Sequence, residues 1–157
     1  MHASFADYLT SPHRSGKEPW FIDMHVAHES VALGCLQLMK TGLHFNICGL
    51  ETSYLPNKDV PGLPQQIEKA IPLHLAYACQ FWAEHVYATL GSDILRSNLQ
   101  YFIYHKLLYW LEALSLLDKV ALASPALLKT AYWSRVSGIH YLDLQYETND
   151  LYGSQIM

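Results

Sequence analysis

The segment from Leu107 to Leu117, LLYWLEALSLL, constrains the fold of this chain more than any other feature. Every position in it is apolar or aromatic except Glu112 and Ser115. A helix that is apolar on all sides is normally buried in a protein core. We therefore expect this segment to form the central helix of a packed domain. It falls short of the roughly 18 apolar residues that a membrane span needs, and His105 and Lys106 come directly before it.

The composition points away from charged partners. Apolar residues make up 51% of the 157 residues and charged residues only 15%, whereas soluble domains typically carry about 25% charged residues. The net charge is −4, and the 10 lysines and arginines are scattered. Nucleic-acid-binding proteins usually show a basic patch, so we expect no nucleic-acid partner and no binding to an anionic membrane surface.

Cysteine usage and the opening residues predict a cytoplasmic protein. The three cysteines, Cys35, Cys48 and Cys79, are an odd number without close spacing. This pattern is typical of reduced thiols rather than of a secreted disulfide framework. The first twenty residues also lack the apolar run of a secretory signal.

Helix signals predict an all-α fold, an irregular bundle of about four to five helices with one long ordered loop. We expect long helices over 24–41, 72–90, 93–117 and 124–136, and a short turn at 65–70. Asp23 and Ser92 are good N-terminal residues for the helices that follow them. Gly42 is a plausible stop for the first of these helices.

Three regions follow from this pattern. Residues 1–22 form a short leading element and a loop, anchored by residues 19–22; residues 23–136 form the helical domain; and residues 137–157 form a weakly structured tail. The long loop at 43–64 is rich in Gly, Pro and Asn. We expect it to pack onto the core through its larger apolar side chains, which are Phe45, Ile47, Leu50, Tyr54 and Leu55.

Two sets of apolar residues are predicted to be buried. The first is the stripe along the helix at 24–41, consisting of Val26, Val31, Leu33, Leu36, Leu38 and Met39. The second is the centre of the core, consisting of Trp82, Phe102, Tyr109, Trp110 and Leu114.

The histidines are the main candidates for chemistry. His25 and His28 are three residues apart on one predicted helix, near Asp23 and Glu29. A zinc site needs three or four converging ligands, and the H-E-x-x-H pattern that begins at His28 fails because Ala32 occupies the second histidine position. We interpret these residues as surface polar groups near a helix start and predict no metal site. The alternative is a small metal-dependent hydrolase using His25 and His28.

The remaining polar candidates have structural interpretations. His74, His85 and His105 lie in aromatic-rich helices and are expected to be buried and hydrogen-bonded. Cys79 is interpreted as a small buried apolar residue rather than a nucleophile. Glu112 is expected to pair with a cation, a tyrosine or the backbone, the alternative being a proton-transfer group.

No nucleotide-binding motif is present. Gly16-Lys17 is reminiscent of a phosphate loop, but Ser11 and Glu18 occupy positions where that motif requires Gly and Ser or Thr. We therefore predict no bound nucleotide, no cofactor and no catalytic residue.

Three strings resemble one family. FNICGLETSYLPN (45–57), IPLHLAYACQFWAEHV (71–86) and YHKLLYWLEALSLL (104–117) resemble the helical segment that follows the NTPase module in fungal NACHT-domain proteins. These are NLR-like signal-transducing ATPases that often end in WD40 repeats. HASFADYLT (2–10) resembles the end of their winged helix, and DMHVAHESVALGCLQLM (23–39) resembles the first helix after it. The resemblance covers about residues 2–136.

The resemblance implies a linker segment without the ATPase module and the WD40 repeats that accompany it in the family. The family's P-loop and acidic motif have no counterpart in this sequence, nor do the WD40 repeats, which suggests a truncated or rearranged product. The implied function is a non-enzymatic linker or scaffold module in signalling. It would bind a protein partner or a second copy through apolar and aromatic surface. Besides the linker module and the metal-dependent hydrolase, a third hypothesis is a small-molecule binder with an aromatic pocket between helices.

Overall fold

Helices provide nearly all the regular structure in the residues that the computed structural model describes, which are 5–52 and 54–137. These residues form eight α-helices and no strand, so the predicted all-α fold is confirmed with more helices than expected. Two 3-10 turns lie at Asn57–Asp59 and Val120–Leu122. The helices are α1 (Phe5–Thr10), α2 (Pro12–Ser15), α3 (Met24–Gly42), α4 (Leu63–Ala70), α5 (Leu73–Tyr87), α6 (Asp93–His105), α7 (Leu107–Leu116) and α8 (Ala123–Val136).

Both predicted N-caps are confirmed. The Asp23 carboxylate accepts hydrogen bonds from the backbone N–H groups of His25 (2.8 Å) and Val26 (3.4 Å). The Ser92 hydroxyl accepts one from the N–H of Leu95 at 3.2 Å. These bonds satisfy donors that the first turn of a helix otherwise leaves unpaired.

Two predicted boundaries are wrong. The expected single helix at 93–117 is divided at Lys106, whose side-chain ammonium donates a hydrogen bond to the Leu43 carbonyl at 2.7 Å. The loop expected within residues 1–22 contains α2, where the buried Ser15 hydroxyl donates to the Tyr8 carbonyl at 2.7 Å. In the predicted anchor at 19–22, Trp20 is 50% exposed. The predicted tail lies outside the described residues, apart from Ser137.

The central helix is α5, not the segment at 107–117. One face of α7 is buried, but Leu108 is 75% exposed. Helix α5 packs against α3, α7 and α8, and it buries seven side chains, namely Leu75, Ala76, Ala78, Cys79, Trp82, Ala83 and Val86. Several of these residues are small, so the sequence of α5 looks less apolar than the leucine-rich sequence of α7.

Three aromatic rings fill the centre of the bundle. The Trp82 ring lies 4.8 Å from that of Phe102 and 5.7 Å from that of Trp110, and the last two are 5.8 Å apart. All three side chains are buried, as predicted, and so is Leu114. Tyr109 is only partly buried. The break at Lys106 separates the helices that supply Phe102 and Trp110, and both rings still meet Trp82.

The indole N–H groups of these tryptophans differ. Trp110 donates a hydrogen bond to the Cys79 carbonyl at 2.8 Å, which ties α7 to α5. The Trp82 N–H is buried without a hydrogen-bond partner. An unpaired buried donor generally costs about 1–3 kcal/mol, which in this position is opposed by contact with two rings.

The predicted α3 stripe is only partly correct. Leu36 and Met39 are buried as expected, but Val26 is 62% exposed, and Val31 and Leu38 are also exposed. The face that meets α5 consists of Ala32, Cys35, Leu36 and Met39. These positions follow the spacing of one helix face, and the two small residues among them leave room for the neighbouring helix.

The long loop is held differently from the prediction. Ile47 is buried and Leu50 partly buried, but Phe45 is 77% and Tyr54 is 94% exposed. Leu55 is exposed as well. Of the five predicted contacts, only those of Ile47 and Leu50 hold the loop, and Val60 near its other end also packs against the core.

Replacing Trp110 by Ala should lower the free energy of unfolding by about 3–5 kcal/mol, because a fully buried indole and its hydrogen bond are lost. Urea unfolding followed by circular dichroism measures this. Leu108→Ala on the same helix is the control and should change stability by less than about 0.5 kcal/mol. Equal losses in both variants would contradict the core assignment.

Candidate functional site

A group of polar side chains joins α3 to the end of α5. His28 Nδ1 lies 3.0 Å from His85 Nδ1, and the two ring centroids are 5.2 Å apart. His85 Nε2 lies 2.8 Å from the Tyr77 hydroxyl. His25 Nδ1 lies 2.9 Å from the Ala88 carbonyl, to which it donates. Both histidines of α3 thus contact the last turn of α5 or the residue directly after it.

The three side chains Tyr77, His85 and His28 form a hydrogen-bonded relay. With both histidines neutral, a consistent arrangement has the Tyr77 hydroxyl donating to His85 Nε2. His85 then donates from Nδ1 to the bare Nδ1 of His28. This order assigns one tautomer to each ring.

Burial makes the charged form of His85 less favourable. Loss of solvation lowers the pKa of His85 below its usual value of 6.5, and charge on His28 lowers it further. The Glu84 carboxylate acts in the opposite direction on the pKa of His85, but is the weakest of the three effects. The surroundings of His85 therefore favour its neutral form.

A second polar contact lies beside the relay. The Ser92 hydroxyl donates a short hydrogen bond to the Glu29 carboxylate while it caps α6. Glu29 thereby connects α3 to the start of α6. His28 and Glu29 are half-buried and bind other helices, which the interpretation as simple surface groups did not include.

The geometry does not complete a metal site around His25 and His28. Within residues 5–52 and 54–137, no group of three or more His, Cys, Asp and Glu side chains converges. Asp23 is engaged in capping its own helix. The two histidines address different partners on α5, so the hydrolase alternative gains no ligand set from the structure.

The other histidines differ from expectation. His74 and His105 are exposed rather than buried. His105 packs against the Tyr101 ring at 4.6 Å. The expectation for all three histidines holds only for His85, which is partly buried and hydrogen-bonded.

The cysteine interpretation is confirmed. Cys79 is 1% exposed, and burial raises its pKa to about 12. Burial likewise raises the pKa of Cys35 to about 11. Both thiols behave as small apolar groups, since the reactive thiolate is strongly disfavoured.

Glu112 pairs with the backbone, in agreement with the structural interpretation. Its carboxylate accepts hydrogen bonds from the N–H groups of Ile47 (3.1 Å) and Asn46 (3.3 Å). Asn46 has a positive φ of 52°, and its side chain closes the turn by two hydrogen bonds to Leu50. These hydrogen bonds therefore hold residues 46–50 of the loop next to α7.

An open groove lies between the end of α5 and α8. It has a volume of about 360 Å³. Its lining residues are Tyr87, Thr89, Leu90, Tyr132, Trp133, Val136 and Ser137. The few polar groups include Thr89, whose hydroxyl donates to the Val86 carbonyl. Small-molecule pockets usually enclose several converging polar groups, so this groove does not resemble one.

The base of the groove is closely packed. Trp133 donates from its indole N–H to the Thr89 carbonyl at 3.1 Å. Gly91, two residues after Thr89, has a φ of 90°, and a Cβ at this position would lie 2.9 Å from the Trp133 ring. Only glycine fits both the backbone conformation and the space. Sequence reasoning missed this groove, although Tyr132 directly precedes the buried Trp133 and was available as a signal for an outward face.

Comparisons of the chain with protein-family models, curated proteins and solved structures found no match. Within the part of the chain that the structure describes, no helix combines the length and the apolarity that crossing a membrane requires.

Replacing Glu112 by Ala should lower the free energy of unfolding by about 1–3 kcal/mol, because two backbone N–H groups in the loop lose their acceptor. Chemical unfolding measures this change. Glu68→Ala at an exposed position of α4 serves as the control, with an expected change within about 0.5 kcal/mol. A loss no greater than that of the control would contradict the anchoring role.

Thiol labelling of the folded protein should modify Cys48 before Cys35 and Cys79. Cys48 is the least buried of the three, although burial and then the nearby Glu112 carboxylate raise its pKa as well. Mass spectrometry after a short treatment with a disulfide reagent at pH 8 identifies the site. Full labelling of all three thiols under these conditions would show that the core opens readily.

Proposed function

We propose that this chain is a non-enzymatic helical linker or scaffold module that makes protein–protein contacts through the groove between α5 and α8. The resemblance to the segment between a NACHT ATPase and WD40 repeats gives this role a context in signalling. In that context the module would transmit or restrain the motion of its neighbours. The isolated chain would cover the groove by pairing with a second copy.

The observation that carries this proposal is the exposure of the groove's rim. Leu90 is 73%, Val136 is 68%, Tyr132 is 58% and Tyr87 is 47% exposed. The rings of the two tyrosines lie 6.1 Å apart across the groove. Contiguous exposed apolar surface often marks a contact site, and tyrosine is enriched in protein interfaces.

The rest of the surface supports the same proposal. Large apolar side chains are exposed on each long helix, with Leu73 of α5, Ile94 of α6 and Leu128 of α8 among them. The charged fraction of 15% leaves few groups to keep such a surface solvated. A surface of this kind is better suited to contact with protein than to full exposure to water.

The non-enzymatic part of the proposal rests on how the polar groups are engaged. His28 and His85 face each other, and Tyr77 occupies the second nitrogen of His85. Ser92 and Glu29 bind each other. A general base needs a free nitrogen or oxygen next to its proton target. Both His85 nitrogens are engaged, one by Tyr77 within α5 and one by His28 of α3, and Glu29 is bound by Ser92 at the start of α6.

Light scattering with size-exclusion chromatography tests the groove. The natural chain should self-associate with increasing concentration, and Leu90→Glu should weaken association at least about tenfold, because a carboxylate then lies at the centre of the rim. Leu73→Glu is the matched control, about 20 Å away at the other end of α5. It replaces a leucine that is even more exposed, at 90%, and should leave association unchanged.

Two outcomes would contradict the proposal. The first is a monodisperse monomer over the whole concentration range. The second is an equal effect of Leu90→Glu and Leu73→Glu, which would indicate a general response to added charge. Measured turnover of a substrate by the purified chain would contradict its non-enzymatic part.

A further inference from the structure

The contact between His28 and His85 restricts how many protons the pair can hold. The two Nδ1 atoms are 3.0 Å apart, a separation that accommodates one hydrogen between them. If both nitrogens carry a hydrogen, two N–H groups point at each other and the contact is lost. The other nitrogen of His85 contacts the Tyr77 hydroxyl, so the ring cannot turn without breaking that bond as well.

We propose that the His28–His85 pair is an acid-sensitive latch between α3 and α5, which stays closed with one extra proton and opens when a second one binds. With one extra proton, a charged His85 donates to both Tyr77 and His28 and every bond of the relay remains. With two, both rings are charged, and they repel each other across the contact. The seam between the start of α3 and the end of α5 then loosens.

The neighbouring carboxylates offset this repulsion only in part. On α3, Glu29 accepts a hydrogen bond from the Ser92 hydroxyl, and His25 adds positive charge when it is protonated. On α5, Glu84 favours the charged form of His85, but this is the weakest of the three effects on the pKa of His85. Glu84 also forms an ion pair with Lys129 of α8, so both carboxylates are shared with other partners.

The direction of the pH effect follows from linkage. Because the pKa of His85 is lowered in the folded state, the unfolded chain binds more protons below the unfolded pKa of about 6.5. Stability is therefore complete above this pH and decreases as the pH falls through and below it. The pair is also close to the Ala88 carbonyl that His25 binds, so opening would affect both histidine contacts of α3.

Urea unfolding at pH 7.5 and pH 5.5 tests the latch. Between these values the folding equilibrium constant of the natural chain should fall about tenfold more than that of His28→Gln, because only in the natural chain can a second proton enter the contact and break it. The glutamine can accept the hydrogen bond from His85 but cannot take a proton. The control is His74→Gln, at an exposed position of the same helix α5, which should keep the full pH dependence of the natural chain.

The same pH dependence in the natural chain and in His28→Gln would overturn the proposal. If the variant does not fold, an NMR titration of the natural chain decides. The two rings should titrate as a coupled pair, in two separate steps that both appear in the signals of each ring. Independent titration of the two rings, each in a single step, would overturn the proposal as well.

Discussion

The fold depends on the burial of one helix by its neighbours on several sides. Helix α5 supplies Trp82 to the ring cluster, and its backbone accepts a hydrogen bond from Trp110 through the Cys79 carbonyl. The same helix packs against α3 and α8. The bundle gains its apolar burial around this helix, and the contacts of His25 and His28 of α3 lie at or just after its C-terminal end.

The sequence predicted the helices well and the burial less well. Capping residues such as Asp23 and Ser92 act locally, so their effect is visible in a few consecutive positions. The division at Lys106 depends on a carbonyl 63 positions away in the chain, and no local pattern reveals such a contact. Counting large apolar residues gave too much weight to α7, because the small residues that let α5 pack closely are weak signals of burial.

The candidate sites show the same division between local and distant information. The pattern around His25 and His28 indicated polar chemistry at the start of α3, but its partners, His85 and Tyr77, lie on another helix. Only the tertiary packing brings them together. Glu112 was correctly expected to find a partner, yet the positions of its backbone N–H donors in the loop were not foreseeable from α7 alone.

The loop after α3 is held at two places, with an exposed stretch between them. Lys106 binds the Leu43 carbonyl and Glu112 binds the N–H groups of Asn46 and Ile47, so the helices on either side of the break hold the first few residues of the loop.

The second attachment lies further along the loop. The Asn57 amide donates a hydrogen bond to the Ser115 carbonyl at 3.1 Å, and Val60 packs against the core. Tyr54 lies between the two attachments and is almost fully in solvent. Insertions or proteolytic nicks beside Tyr54 would leave both attachments intact. Length variation among related chains would therefore be tolerated best at Tyr54 and Leu55.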